Sequence, residues 1–316
     1  MDAALDEVLG QLTQFELNVS RLNIIVETIK NEAVDETRKQ LTYGGNWTYP
    51  IVECIVQGYA ANDYVVPIRQ FVVLEGIPAV LIDTSPYVTF RDYLRRHKVV
   101  GIAPTSFEYL PLLKQIATGL AYLHSEGIIH RDVCSKHILI GITDDVPRAY
   151  LANFKSAAFY KEDVIYPPAP PALPLHHDYA LRNGSSLRLR WTAPEVLRDP
   201  RLASTNSDVW SYALLVWQAL SEGDDPFPDL DLDPSRDLEY LLSLLHSGYR
   251  PTVESHWPLQ DLLAKLWNLN PSSRPSALEI IDLLPNEATY APLPPCEIHL
   301  ENIAIPPPRP VWCTIV

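Results

Sequence analysis

Apolar residues in the first 40 positions recur at alternating steps of three and four, which is typical of an amphipathic or coiled-coil helix. The members of this seam are Leu5, Val8, Leu12, Phe15, Val19, Leu22, Val26 and Ile29. No proline interrupts it, although Asn18-Val19-Ser20 could mark a break into two helices. We therefore predict an amphipathic helical segment at residues 1–40, packed on the chain's own domain or, alternatively, used for self-association.

Beyond this segment the apolar pattern predicts two strands followed by a series of helices. Short apolar runs at 65–73 and 79–82 indicate the strands. A helix capped near Thr105 or Ser106 and ending at Gly127 should carry one apolar face. That face is formed by Phe107, Leu110, Leu113, Ile116, Leu120 and Leu123. The proline-rich stretch between 155 and 190 predicts an extended loop, and helical patterns then run from 195 to 284.

Composition and charge exclude several classes of protein. The chain is 47% apolar and 20% charged, and its net charge of −14 argues against a basic surface for nucleic acid. The four scattered cysteines give no disulfide framework, which indicates a reducing, cytoplasmic compartment. No apolar run approaches the length of a membrane span.

A charged turn between two apolar runs stands at the centre of the chain, in the segment 128–140. It contains His130-Arg131-Asp132, and three further motifs follow it in order: Asn153-Phe154-Lys155, Trp191-Thr-Ala-Pro-Glu195 and Ser207-Asp-Val-Trp-Ser211. This ordered set resembles the catalytic-loop, metal-loop, Ala-Pro-Glu and helix-F motifs of protein kinases. The residues of these motifs are most similar to those of the tyrosine-kinase-like branch, and the resemblance covers roughly residues 62–285.

The resemblance implies an α+β fold of two lobes, with a reduced β-rich N-lobe and a helical C-lobe. We expect the N-lobe at 41–87 and the C-lobe at 88–285, flanked by the helical segment 1–40 and a proline-rich tail at 286–316. The small lobe of a kinase normally opens with a glycine-rich hairpin over the phosphates. Between residue 41 and the predicted strand at 65–73 the chain contains only Gly44-Gly45 and Gly58, so the backbone cradle for the phosphates is predicted to be absent.

By the same resemblance, single positions receive kinase roles. Asp132 matches the catalytic base, Arg131 the reader of a phosphorylated activation loop, and Lys136 a cation that could contact a phosphate. Glu53 is the candidate for the helix-C glutamate. His137 and Asn153 stand at the two positions that supply magnesium ligands, where the family carries Asn and Asp.

The two altered positions suit magnesium poorly, because this ion prefers hard oxygen ligands while imidazole nitrogen suits zinc or copper. Asparagine at 153 also removes a unit charge, which is worth about 4 kcal/mol at about 4 Å and an effective dielectric constant near 20. Lys155 replaces the family's glycine and adds a competing cation. The sequence therefore predicts a pseudokinase with no cofactor. The alternative is an atypical active kinase that uses Asp132 as base and a lysine such as Lys39 near Glu53.

The residues that support a kinase fold are retained. By resemblance, Glu195 and Arg274 form an ion pair, and Asp208 accepts backbone N–H groups from the turn at 130–131. His130 and Phe154 are expected to stack in the core.

No metal site is predicted. His137 and Asp132 are two potential ligands five residues apart, which do not make a site by themselves, and His176-His177 reads as polar surface.

The predicted partners are other proteins, not nucleic acid. They would bind the helical segment 1–40 and the proline-rich stretches 167–174 and 306–310. Tyr160, Tyr166 and Tyr179 are candidate phosphorylation sites. Cys313 lies in a loose prenylation box, so a lipid-anchored adaptor is a third possibility, and membrane association is expected only if that cysteine is prenylated.

Overall fold

The computed structural model describes residues 2–32, 48–74, 77–82, 87–100, 109–143, 146–162, 164–168, 186–232, 237–254, 257 and 259–285. Its α-helices are α1 Asp2–Leu12, α2 Val19–Glu32, α3 Thr48–Tyr59, α4 Phe90–Val100, α5 Leu110–Ser125, α6 Ser186–Trp191, α7 Pro194–Arg198, α8 Thr205–Leu220, α9 Leu238–His246, α10 Gln260–Leu266 and α11 Ala277–Leu283. Its strands are β1 Ile68–Leu74, β2 Ile77–Ile82, β3 Val88–Thr89, β4 Ile128–Ile129, β5 Ile138–Thr143, β6 Val146–Leu151, β7 Ala158–Lys161 and β8 Val164–Tyr166.

Several predictions fall outside the described residues. These are Lys39, Tyr179, the cap near Thr105 or Ser106, the face residue Phe107, His176-His177, the proline-rich stretches beyond residue 168, Cys296 and Cys313. Among the helices that are described, none is long and apolar enough to cross a bilayer.

The strands form three small antiparallel sheets, in the orders β1-β2, β3-β5-β6 and β4-β7-β8. Both predicted strands of the small lobe are confirmed as the β1–β2 hairpin, in which Phe71 pairs with Val80. The hairpin is joined to the large lobe at Val65, which pairs in parallel with Leu151 at the end of β6. The two-lobed α+β architecture is therefore present with a small sheet of two strands in the N-lobe.

Helix α8 is the centre of the large lobe, because every residue from Ser207 to Leu220 is buried. A capping box between Ser204 and Ser207 fixes its start. Helix α5 lies against it, and the Tyr212 hydroxyl donates a hydrogen bond of 2.9 Å to the Leu113 carbonyl. The predicted apolar face of α5 is confirmed over the part described, since Leu110, Leu113, Ile116, Leu120 and Leu123 are all buried.

The N-terminal segment forms two helices that pack on the chain's own domain. The first half of the predicted seam is buried, as Leu5, Val8, Leu12 and Phe15 show. Glu16 then adopts a left-handed backbone conformation, with φ of 52°, and ends the first helical stretch. The seam is broken there, so Val19 is 67% exposed, and burial resumes at Ile25 and Val26.

Helix α2 crosses α3 at a glycine. A Cβ atom on Gly58 would lie 3.1 Å from Ile25 Cγ2 and 3.2 Å from Phe71 Cζ, so a larger residue would force the neighbours apart. The absence of a side chain at this point lets α2 approach both α3 and β1. The two helices therefore lie on α3, the helix that carries Glu53.

Polar contacts connect the same helices to the large lobe. Arg21 lies 3.3 Å from Glu126 at the end of α5, and its guanidinium sits 4.6 Å from the centroid of the Tyr59 ring. Glu16 accepts from Lys161 of β7 at 2.6 Å. The N-terminal helices thus contact helix α3, the end of α5 and the strand that follows the metal-loop position.

One loop prediction is wrong. The first part of the segment 155–190 forms the β7–β8 hairpin, in which Phe159 pairs with Tyr166. Tyr160 is partly buried and Tyr166 is buried, so neither is the exposed loop tyrosine that the sequence suggested. This part of the segment forms strands because β7 pairs with β4, with Ile128 opposite Phe159.

The broken seam predicts different costs for two substitutions in it. Replacing Leu12, which is 1% exposed, by Ala should lower the free energy of unfolding by about 2–5 kcal/mol. The matched change Val19→Ala removes an exposed side chain and should alter it by less than about 0.5 kcal/mol. Urea denaturation of both variants measures the difference. Equal effects would contradict the packing of α1 on the domain.

Candidate active site

The central turn is held by one buried carboxylate. Asp208, at the start of α8, accepts the backbone N–H groups of His130 at 2.8 Å and Arg131 at 2.9 Å. His124 Nε2 lies 3.0 Å from the same carboxylate. These bonds stabilise a turn in which Arg131 has a φ of 60°, a conformation that costs energy for a non-glycine residue. The contact that the resemblance implied for Asp208 is confirmed.

His130 is fully buried and packs against Phe154, with ring centroids 5.1 Å apart. Burial lowers the pKa of His130, so its ring is neutral at physiological pH. Its Nε2 lies 3.0 Å from the Ala152 carbonyl. The stack predicted from the resemblance is confirmed, and it joins the central turn to the segment at 152–154.

His137 and Asn153 contact each other directly. Asn153 has a φ of 63°, and its amide Nδ2 lies 2.6 Å from His137 Nε2. Among the described residues, the buried Asn153 Oδ1 has no hydrogen-bond partner. A half-turn of the amide places that oxygen on Nε2, where it accepts from the ring N–H. The two positions that supply magnesium ligands in the resemblance are thus joined by a hydrogen bond.

The other nitrogen of His137 faces acidic groups. Nδ1 lies 2.8 Å from the Asp132 backbone carbonyl, 3.5 Å from the Asp132 carboxylate and 3.3 Å from Cys134 Sγ. Burial opposes the charged form of His137, but Asp132 and Cys134 outweigh it and raise the pKa to about 9. At neutral pH the ring therefore carries a positive charge beside Asp132.

These residues do not fit magnesium. Mg²⁺ requires octahedral oxygen ligands at about 2.0–2.1 Å. His137 offers nitrogen instead, and Asn153 offers a neutral amide that is already bonded to His137. A cation at His137 would also repel the ion. The Asp132 carboxylate is the remaining hard anionic ligand of this group.

Glu53 lies on α3 close to the metal-loop position. Burial raises its pKa to about 7, and the charge of Lys155 partly opposes that rise. Lys155, which stands where the family has glycine, is thus a cation close enough to interact with this glutamate. No lysine occurs between Lys39 and Lys98, so strands β1 and β2 offer none to Glu53. Gln57, one turn along α3, is buried.

Arg131 and Lys136 lie in different environments. Arg131 donates from Nε to the Ser156 carbonyl and from a terminal nitrogen to the Pro167 carbonyl at 3.4 Å. It therefore binds the backbone of the segment after Phe154 without any phosphate. Lys136 is exposed.

The remaining predicted pair lies near the start of α8, where Arg274 also donates to the Asn206 carbonyl at 2.9 Å. Arg274 donates two hydrogen bonds to the Glu195 carboxylate, at 2.6 and 2.8 Å. Both side chains are buried, and the guanidinium lies 5.1 Å from the centroid of the Trp210 ring. The predicted ion pair is confirmed and connects α7 to the start of α11.

One site residue was missed by the sequence reasoning. Cys134 is buried and lies next to His137 Nδ1, so that Asp132, Cys134 and His137 offer ligand atoms within 4.8 Å of one another. The spacing of three residues between Cys134 and His137, inside a tight turn, was the available signal. The backbone bond from His137 N–H to the Cys134 carbonyl, 2.9 Å long, closes that turn.

The lobes, the turn held by Asp208 and the Glu195–Arg274 pair define a protein kinase fold. The family model described as "Protein kinase domain" matches residues 29–283, and the chain belongs to that family.

Its relatives in sequence are tyrosine kinases. Platelet-derived growth factor receptor alpha of Takifugu rubripes is 30% identical over 182 residues, which cover 57% of this chain and 15% of the receptor. Tyrosine-protein kinase abl-1 of Caenorhabditis elegans is 29% identical over 191 residues, covering 60% of this chain and 14% of that protein. Ephrin type-A receptor 1 of Homo sapiens is 24% identical over 278 residues, or 85% of this chain and 25% of the receptor. The chain thus spans at most a quarter of each of these relatives.

Glu53 predicts a pH dependence of stability. Its folded pKa of about 7 lies above its ordinary value of 4.5, so its stabilising contribution is complete below pH 4.5 and is lost as the pH rises through about 7. Glu53→Gln removes this titration and should therefore be more stable than the native chain above pH 7, by about 3 kcal/mol. Urea denaturation at a series of pH values measures the difference.

Lys155→Met is the matched control for this prediction. It removes the charge that opposes the rise, so the transition of the otherwise native chain should move to higher pH. Parallel pH profiles for the native chain and Glu53→Gln would contradict the buried environment of Glu53.

Proposed function

We propose that this protein kinase domain is a pseudokinase, which acts in signalling as a protein–protein scaffold or allosteric regulator with little or no Mg–ATP binding or phosphotransfer. The observation that carries the proposal is the direct contact of His137 with Asn153. It fills the magnesium position with a side chain, and the charge on His137 takes the place of the metal's charge beside Asp132. The phosphates of a nucleoside triphosphate would then lack the ion that neutralises their charge.

The small lobe supports the same proposal. Helices α1 and α2 lie on α3 and β1, and the described strands between 48 and 100 carry no lysine that could pair Glu53 with a phosphate. Lys155 supplies a charge to Glu53 from the metal-loop side instead. The charge that acts on Glu53 thus comes from a residue of the metal-loop segment and not from a lysine of the small-lobe sheet.

The competing function is an atypical active kinase. The Asp132 carboxylate is retained, which favours this alternative. It needs both a rebuilt phosphate site and ligands for a divalent ion. Neither Lys136, which is exposed, nor Arg131, which is bonded to backbone, offers such a ligand.

Exposed apolar side chains on α2 support a role in protein binding. Val19 and Ile24 are 67% and 66% exposed, whereas the buried members of the seam pack against the rest of the domain. We assign the partner surface of the helical segment to the exposed residues Val19 and Ile24 of α2, and the proline-rich stretches 167–174 and 306–310 remain further candidates. The chain's cysteine usage supports a cytoplasmic location.

A nucleotide titration tests the catalytic part of the proposal. The melting temperature of the chain should not change when ATP and Mg²⁺ are added together, because the site does not hold Mg²⁺ against the triphosphate. An active tyrosine kinase domain, measured in the same buffers, serves as the positive control. A rise of several degrees that requires Mg²⁺ would show that the site is functional, and the pseudokinase assignment would then fall.

A proximity-labelling experiment in cells tests the scaffold part. The double variant Val19→Asp/Ile24→Asp should lose labelled partners, because charge at two exposed apolar positions opposes burial in an interface. The matched control is Leu278→Asp on α11, which charges a side chain that is also 66% exposed. Melting temperatures should stay equal in all three proteins. Identical sets of labelled proteins for the native chain and the double variant would rule out this surface.

A further inference from the structure

The cleft contains three different metal-binding side chains in one turn of the backbone. Asp132, Cys134 and His137 supply a carboxylate, a thiol and an imidazole. All three are shielded from solvent: the Asp132 side chain is 8% exposed, Cys134 is 9% exposed and the His137 side chain is 21% exposed. A thiolate and an imidazole together favour zinc and similar borderline-soft ions over magnesium.

Two of the three distances between these atoms match the edges of a tetrahedron around zinc. With bonds of about 2.0–2.1 Å to nitrogen and oxygen and about 2.3 Å to sulfur, ligand atoms lie about 3.3–3.6 Å apart. His137 Nδ1 lies 3.3 Å from Cys134 Sγ and 3.5 Å from the Asp132 carboxylate. The third distance, from sulfur to carboxylate, is no longer than 4.8 Å.

Asn153 supplies the second requirement of such a site. Metal-binding histidines almost always donate their other ring N–H to an oxygen, which fixes the tautomer and the ring orientation. With its amide oxygen on Nε2, Asn153 accepts that proton and leaves Nδ1 available to a metal. The same half-turn of the amide satisfies the buried Oδ1 that has no partner among the described residues.

We propose that Asp132, Cys134 and His137 bind a divalent zinc-like ion in the cleft, with Asn153 orienting the histidine. In the metal-free chain a proton on Nδ1 contacts the Asp132 carbonyl at 2.8 Å. Binding of the ion would release this proton and the thiol proton of Cys134 to solvent. The Asp132 carbonyl would turn away from Nδ1, because an ion about 2.0–2.1 Å from this nitrogen needs that space. Three protein ligands leave a fourth position for water. The ion would fix the central turn in one arrangement without nucleotide. The proposed site does not depend on whether the chain acts as a scaffold.

Cobalt is the probe that tests this proposal. The full chain, reduced and freed of metal by chelation, is titrated with Co²⁺ while the near-ultraviolet and visible spectra are recorded. A thiolate-to-cobalt charge-transfer band should grow to saturation at one equivalent, and Zn²⁺ should abolish it by displacement. Cys134→Ser should lose the band, and His137→Asn should weaken binding at least 100-fold.

Control variants separate this site from other cysteines and from misfolding. Cys54→Ser removes a buried cysteine on α3, and Cys296→Ser/Cys313→Ser removes the two others, so both proteins should keep the band. Asn153→Ala should weaken Zn²⁺ binding about 10–100-fold, the usual cost of losing an orienting partner. His137→Asn places the family's residue at this position and keeps the fold, which its melting temperature checks. No band in the native chain, or a band that survives Cys134→Ser, would overturn the proposal.

Discussion

The carboxylate of Asp208 is the contact on which the cleft depends. It bonds to two successive backbone N–H groups of the central turn, and it is fixed in turn because α8 is buried along its length. The strained conformation of Arg131 persists because these bonds outweigh its cost. The turn then delivers Asp132, Cys134 and His137 to one side, where they meet Asn153. Without this anchor the side chains of the cleft would have no common geometry.

The chain retains the contacts that hold a kinase fold and differs from the family at the positions that supply magnesium ligands. The Glu195–Arg274 pair and the His130–Phe154 stack occupy the places that the family resemblance assigns to them. At the magnesium positions, an imidazole and an amide bond to each other. Breaking a buried ion pair such as Glu195–Arg274 on one side costs about 3–5 kcal/mol. Physical constraints on stability and on catalysis therefore act on different residues here.

Residues whose role follows from a local motif could be placed from the sequence alone. Asp208, His130 and Phe154 are examples, because the order and spacing of their motifs define one turn and its anchor. The break into two helices was indicated by Asn18-Val19-Ser20, and the second helix does begin at Val19. Its exact position at Glu16 could not be predicted, since a seam of apolar residues indicates a face but not the left-handed residue that ends a helix. Cys134 was missed because a tight turn brings it to His137. The electrostatic effect of Lys155 on Glu53 depends on how α3 packs against residues 154–156. Such contacts arise from tertiary structure and leave no periodic signal.

The central claim is that a hydrogen bond between His137 and Asn153 replaces the magnesium site. A crystal structure of the chain grown with Mg²⁺ and a non-hydrolysable ATP analogue tests it most directly. We expect the two side chains to remain bonded, with no ordered ion between them and no ordered triphosphate in the cleft. An ion coordinated by Asn153, with the phosphates seated beside it, would contradict the account.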